Sequence, residues 1–146
     1  MSNPGHRLTR WVAALLVALP LLATAQQSER FGDYEIHYSA IPTGMLNAEV
    51  AREYGLMRSR TRGIVMITIL RDGQAVPGQV DIIARDDNDE LTEIPAERVR
   101  EDGWISYVGT FPIEAGAARI FEIDVNPHAG GEVYSVAFRQ TFHPGE

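Results

Sequence analysis

The chain has 146 residues, 45% of them hydrophobic, with 13 basic against 20 acidic side chains, a net charge of −7 and no cysteine. Such a balance argues against nucleic acid or an anionic membrane surface as a partner, since both require clustered positive charge. The absence of cysteine excludes disulfides, thiol catalysis and thiolate metal sites together.

Arg7 and Arg10 precede the apolar run WVAALLVALPLLA, which Pro20 interrupts and Ala23-Thr24-Ala25 closes. A charged start, a short apolar run and an A-x-A pattern predict a cleavable export signal over residues 1–25, cut between Ala25 and Gln26. The run is shorter than the about 20 apolar residues of a spanning helix, and no cysteine stands at the cut to carry a lipid. The expected product is one domain, 26–146, released into the periplasm by the general secretory route with no stable membrane anchor. It retains 11 arginines against 20 acids, and lysine is absent.

Beyond the signal the pattern has period two. In Phe31 to Ser39, Tyr34, Ile36 and Tyr38 share one face and Asp33, Glu35, His37 and Ser39 the other, as in a half-buried strand. Asn47 is placed to cap a helix over residues 48–54 that exits at Gly55. Two turns of helix do not stand alone, so it is expected to pack across an end or edge of a sheet. Gly63 to Leu70 is apolar on both faces and predicts a central strand covered on both sides.

Asp72-Gly73 and Pro77-Gly78 are turn signals. Val80 to Ala84 reads as a strand, the charged stretch Asp86 to Glu90 as a hairpin tip, and Leu91 to Ile94 as the next strand, with another short one near Val99. Trp104 to Phe111, Arg119 to Val125 and Val133 to Phe142 complete the set, with Ile105, Tyr107, Phe111, Phe121, Ile123, Val125, Tyr134, Val136, Phe138 and Phe142 inward. About seven short strands and one short helix predict an all-β fold, an antiparallel immunoglobulin-like sandwich, with a small β-barrel as the alternative.

Phe31-Gly32-Asp33-Tyr34-Glu35-Ile36-His37-Tyr38, the helix segment ending Glu49-Val50-Ala51-Arg52-Glu53-Tyr54-Gly55 with Arg58-Ser59 after it, and the closing Phe138-Arg139-Gln140-Thr141-Phe142 carry a family resemblance. In that order and spacing the chain resembles domain-of-unknown-function family 4426. The resemblance implies a small exported protein of Gram-negative bacteria with a mostly β domain, and no activity.

Arg58, Arg60 and Arg62 alternate, so an extended backbone would align three guanidiniums able to fork onto carboxylates, sulfates or an acidic partner; pairing with the chain's own acids is the plainer reading. Asp33 and His37 share a strand face. Ser39 is the one nucleophile near His37, but side chains two apart on a strand sit about 7 Å apart, and no G-x-S-x-G elbow exists. His37, His128 and His143 are not at ligand spacing, and the Asp86 stretch lacks the glycine and flanking helices of a calcium loop.

Trp104 faces away from Ile105 and Tyr107, and exposure there would mark a binding surface. The expectation is a non-enzymatic accessory or protein-binding module with no cofactor and no metal site. Its partner is another envelope protein, met at a sheet edge or through Arg58, Arg60, Arg62, Asp33 and His37. The alternative is a periplasmic metal or small-ligand carrier.

Overall fold

The computed structural model describes residues 26–127 and 131–143; the predicted signal at 1–25 and His128 lie outside them. In chain order come β1 (Gln27–Phe31), β2 (Tyr34–Pro42), a one-turn 3-10 helix (Thr43–Met45), α1 (Ala48–Glu53), β3 (Arg62–Arg71), β4 (Gln74–Ala75) and β5 (Gln79–Arg85). Then follow β6 (Leu91–Ile94), β7 (Glu97–Glu101), β8 (Trp104–Pro112), β9 (Ala118–Asn126) and β10 (Tyr134–Thr141). The run expected from Phe31 to Ser39 is therefore a hairpin, turning at Gly32-Asp33 where Gly32 takes φ +60°.

Period-two burial builds the sheets. On β2, Tyr34, Ile36, Tyr38 and Ala40 point inward, and on β9 Phe121, Ile123 and Val125 do the same. β3 is buried on both faces, at Val65, Ile67 and Ile69 on one side and Ile64 on the other. The hairpins β3–β4 and β7–β8 turn on Asp72-Gly73 and Asp102-Gly103, with φ positive at both residues of each pair. That is the type I′ geometry whose twist matches the flanking strands, and Asp-Gly is the dipeptide that tolerates it.

One sheet runs β1-β2-β3-β8-β7, with β4 attached to β3, and the other β10-β9-β5-β6. Setting aside the β1 and β4 additions, this is the ABED and GFCC′ order of an immunoglobulin-like sandwich. The two sheets do not close on each other, which removes the barrel alternative.

Between the sheets lies the main core, with Phe121 stacked on Phe138 (4.9 Å between centroids) and edge-on to Phe111 and Phe142. Tyr107, buried in that core, accepts the Gly78 N–H at its hydroxyl oxygen (2.8 Å), so its polar end is satisfied. The aromatic residues expected inward are core.

The helix starts as its residues demand. Asn47 Oδ1 accepts the Glu49 N–H (2.8 Å), and the chain leaves at Gly55 with φ +66°. Its position differs from the expectation. α1 does not cap an end of the sandwich; it lies on the outer face of the β2-β3-β8-β7 sheet. There Leu46, Ala51, Ile64 and Val108 form a second buried cluster, with Ile41, Val50, Tyr54, Leu56, Met66 and Val99 packed around it. The apolar second face of β3 decides this, because Ile64 needs cover on that side.

Candidate functional site

The residues singled out in the sequence fall in three places. Asp33 is exposed in the β1–β2 turn, at one end of β2. Arg58, Arg60 and Arg62 lie beyond the other end, past Pro42, and nine-residue β2 separates the two groups by about 27 Å. They form no common surface.

The arginine row is not extended either, since β3 begins only at Arg62. Ser59 is tied down by its N–H to Thr43 Oγ1 (2.9 Å) and by its carbonyl, which accepts the Gly44 N–H (3.0 Å). These bonds bend residues 58–61 around the 3-10 helix. Arg58 donates to the Gly44 carbonyl (3.0 Å) and Arg62 to Thr110 Oγ1 (2.9 Å), so two of the three guanidiniums serve their own chain. Arg60 remains exposed.

His37 sits on the outer face of β2, directly across from Thr68, whose hydroxyl bonds Ser106 Oγ (3.1 Å). Its Nε2 lies 3.1 Å from Glu35 Oε1 but off the line of a hydrogen bond, so this buried nitrogen is left without a hydrogen-bond partner. His143 is exposed after β10, at the other end of the sandwich, and does not meet His37. Among the described residues no three His, Cys, Asp or Glu side chains converge to hold a metal. The Asp86 carboxylate accepts the Asn88 and Glu90 N–H groups (2.8 and 2.9 Å), so it closes its hairpin tip.

Trp104 is 48% exposed, although Ser106 and Val108, on the same face of β8, are buried. It walls a groove of about 180 Å³ with Tyr54, Val99, Ser106, Glu101 and Asp102, beside the C-terminal end of α1. Desolvation in this corner, then the charges of Glu53, Asp102 and Glu49, push the Glu101 carboxyl above the usual range. Burial, then Glu101 and Glu53, raise the Tyr54 hydroxyl likewise.

The outer face of the β10-β9-β5-β6 sheet has no helix over it among the described residues. Ile83, Leu91 and Ile120 point out from it, 39%, 59% and 36% exposed. A trough of about 360 Å³ crosses its centre, lined by Asp81, Ile83, Glu122, Asp124, Ser135 and Ala137. Among the described residues β10 pairs only with β9, so this face ends there at an open strand edge eight residues long. Sequence reasoning missed this surface, because which acids meet depends on the β5–β9 register.

The family model described as "Domain of unknown function (DUF4426)" matches residues 28–145. A crystal structure of a DUF4426 family protein from Pseudomonas aeruginosa is similar, with a TM-score of 0.73 at 29% identity, covering 84% of this chain and 98% of that one. Two solved structures of FetP from uropathogenic Escherichia coli, one a copper-bound variant and one as isolated, have TM-scores of 0.59 and 0.61 at 9% identity. They cover 82% and 84% of this chain and 96% of FetP, and at that identity the likeness is one of fold alone. No curated protein sequence matches the chain.

Proposed function

The chain belongs to the DUF4426 family, whose description assigns no activity, and from that premise we propose that it is a non-enzymatic accessory module of the periplasm that captures another envelope protein. The observation that carries this reading is the bare face and open edge of the β10-β9-β5-β6 sheet. Solvated outer faces are common in antiparallel sheets, but Ile83, Leu91 and Ile120 give this one an exposed apolar patch of the kind partners cover, and a free edge strand is a template for strand addition. The export signal at residues 1–25 supplies the compartment.

A photo-crosslinking side chain at Ala137, on the bare face, tests the reading in periplasm against the same group at Glu49 on α1. A single adduct of defined mass from Ala137, competed by unmodified domain and absent from Glu49, is expected. Equal labelling from both positions, or none from either, defeats it.

The shared fold with FetP, a structure of which is copper-bound, raises a carrier as the second reading. The residues here do not fit a resident copper ion. The chain has no cysteine, His37 has one carboxylate neighbour, and Met66, diagonal to it in the β2–β3 register, packs into the apolar cluster with Leu46 and Ala51. Copper, zinc and calcium are expected to leave the melting temperature unchanged. A ligand at 100 times its Kd stabilises by about 2.7 kcal/mol, so a bound metal would be plain to see and would favour the carrier.

A further inference from the structure

The bare face has a definite charge pattern. The β5–β9 register sets Asp81 directly opposite Asp124, Ile83 opposite Glu122 and Arg85 opposite Ile120. On the β10 side Ser135 faces Asp124 and Ala137 faces Glu122; on the β6 side Glu93 faces Ile83 and Leu91 faces Arg85. The face therefore carries an acidic row at Asp81–Asp124, an apolar band through Ile83, Ile120 and Leu91, and further carboxylates at Glu122 and Glu93. Arg85 reaches Glu122 (3.1 Å), and Arg139 turns away toward Asp87 (3.9 Å). Neither guanidinium serves the aspartate row.

Like charges placed directly opposite on a sheet face are destabilising. Among the described residues neutral donors hold the Asp81–Asp124 pair, Gln79 Nε2 to Asp81 Oδ2 (3.3 Å) and Ser135 Oγ to Asp124 Oδ1 (2.6 Å). The two carboxylates thus share the centre of an open trough, beside Ile83 and Ile120, which are 39% and 36% exposed. Ser135 and Ala137 are small, so the trough runs out to the free edge of β10.

We propose that this face docks an extended cationic segment of a partner protein, with an arginine or lysine over Asp81 and Asp124, an apolar residue two positions along it on Ile83 and a second apolar residue four positions along it on Ile120. The spacing follows from strand geometry. Same-face side chains repeat about every 7 Å in an extended segment, which is the step from Asp81 to Ile83, and Ile120 lies one further repeat from Asp124. A segment laid in the trough parallel to β9 and β5 keeps that pitch in register with the sheet. A second copy of this chain is not the occupant, because it would bring acid against acid. The proposal rests on the reading of the domain as a module that captures proteins.

The test uses the mature domain and a ten-residue peptide of Arg-Ser-Val-Ser repeats, which sets arginine and valine two positions apart on one face, read by fluorescence anisotropy, with a peptide carrying glutamate in place of arginine as control. The arginine peptide binds, weakens with added salt, and loses affinity by about tenfold or more in D81N/D124N. The glutamate peptide does not bind. The same variant melts at a higher temperature than the parent, which a merely structural aspartate pair would not give.

Unchanged peptide affinity in D81N/D124N overturns the proposal, as does a lower melting temperature. Binding of calcium alone at the pair overturns it in favour of an ion site. If crosslinking at Ala137 yields a partner whose capture D81N/D124N leaves intact, the docking chemistry fails while the capture function stands. If no partner is found at all, both fail.

Discussion

The two outer faces of this sandwich receive opposite treatment from one short chain. On the β2-β3-β8-β7 side, residues 43–56 fold back as a 3-10 turn and a six-residue helix, and Ile64 is left with no exposed surface. On the β10-β9-β5-β6 side, Ile83 and Ile120 stay in water among four carboxylates. A helix that short is not stable by itself, so it exists because Ile64, Val108 and Met66 give it an apolar bed. The other face offers no such bed, since its apolar band is interrupted by Asp81, Glu122 and Asp124. The same chain shows what cover by its own residues requires and what a face without that cover looks like.

The sharpest way to break this contrast is to remove the apolar anchor on the covered side. Ile64→Ala is expected to cost about 2–5 kcal/mol, measured by urea unfolding. Ile83→Ala on the bare side is expected to stay within about 0.5 kcal/mol; equal losses would mean that both faces are core. Between these lies the helix cap. Asn47→Ala removes the acceptor for the Glu49 N–H and is expected to cost about 1 kcal/mol, and it should raise amide exchange over residues 48–54 while leaving β9 and β10 untouched.

A smaller effect sharpens the covered side further. The Glu101 carboxyl is raised in the folded protein by desolvation and by Glu53, Asp102 and Glu49. The folded state then holds that proton more tightly than the unfolded chain, so stability falls as pH rises through the folded value. Glu101→Gln is expected to raise the melting temperature at neutral pH, and the gain should vanish once pH drops below the unfolded carboxylate range. A gain that persists in acid would place the cause outside the charge.

Much of this was legible in the residues. Period-two runs located most strands, the apolar GIVMITIL stretch announced a strand with two covered faces, and Asn47 with Gly55 bounded the helix. The parity of Trp104 placed it opposite Ile105 and Tyr107 but did not settle its exposure, since Ser106 and Val108 share that face and are buried. β1 was not legible because QSERF contributes only Phe31 to an interface, stacked on Tyr134 at 4.8 Å, and leaves no alternation to read. The arginine alternation misled because side-chain bonds between Thr43 and Ser59, sixteen residues apart, override the extended backbone it presumes. The candidate docking face was hidden for a related reason. Asp81 and Asp124 are 43 positions apart, and only the strand register brings them together.

That dependence on distant partners also sets a clock. β3 is flanked by β2 and by β8, and its pairing with β8 joins Arg62 to Pro112 and Ile67 to Tyr107 across everything from β4 to β7. Contacts of that separation close slowly, and folds dominated by them form in about milliseconds to seconds rather than microseconds. Until β8 arrives, one edge of the most apolar strand in the molecule is open, while β2 and its hairpin can already be in place. Stopped-flow refolding is expected to show a single slow phase, with β8 substitutions such as Val108→Ala retarding it more than substitutions in the β1–β2 hairpin.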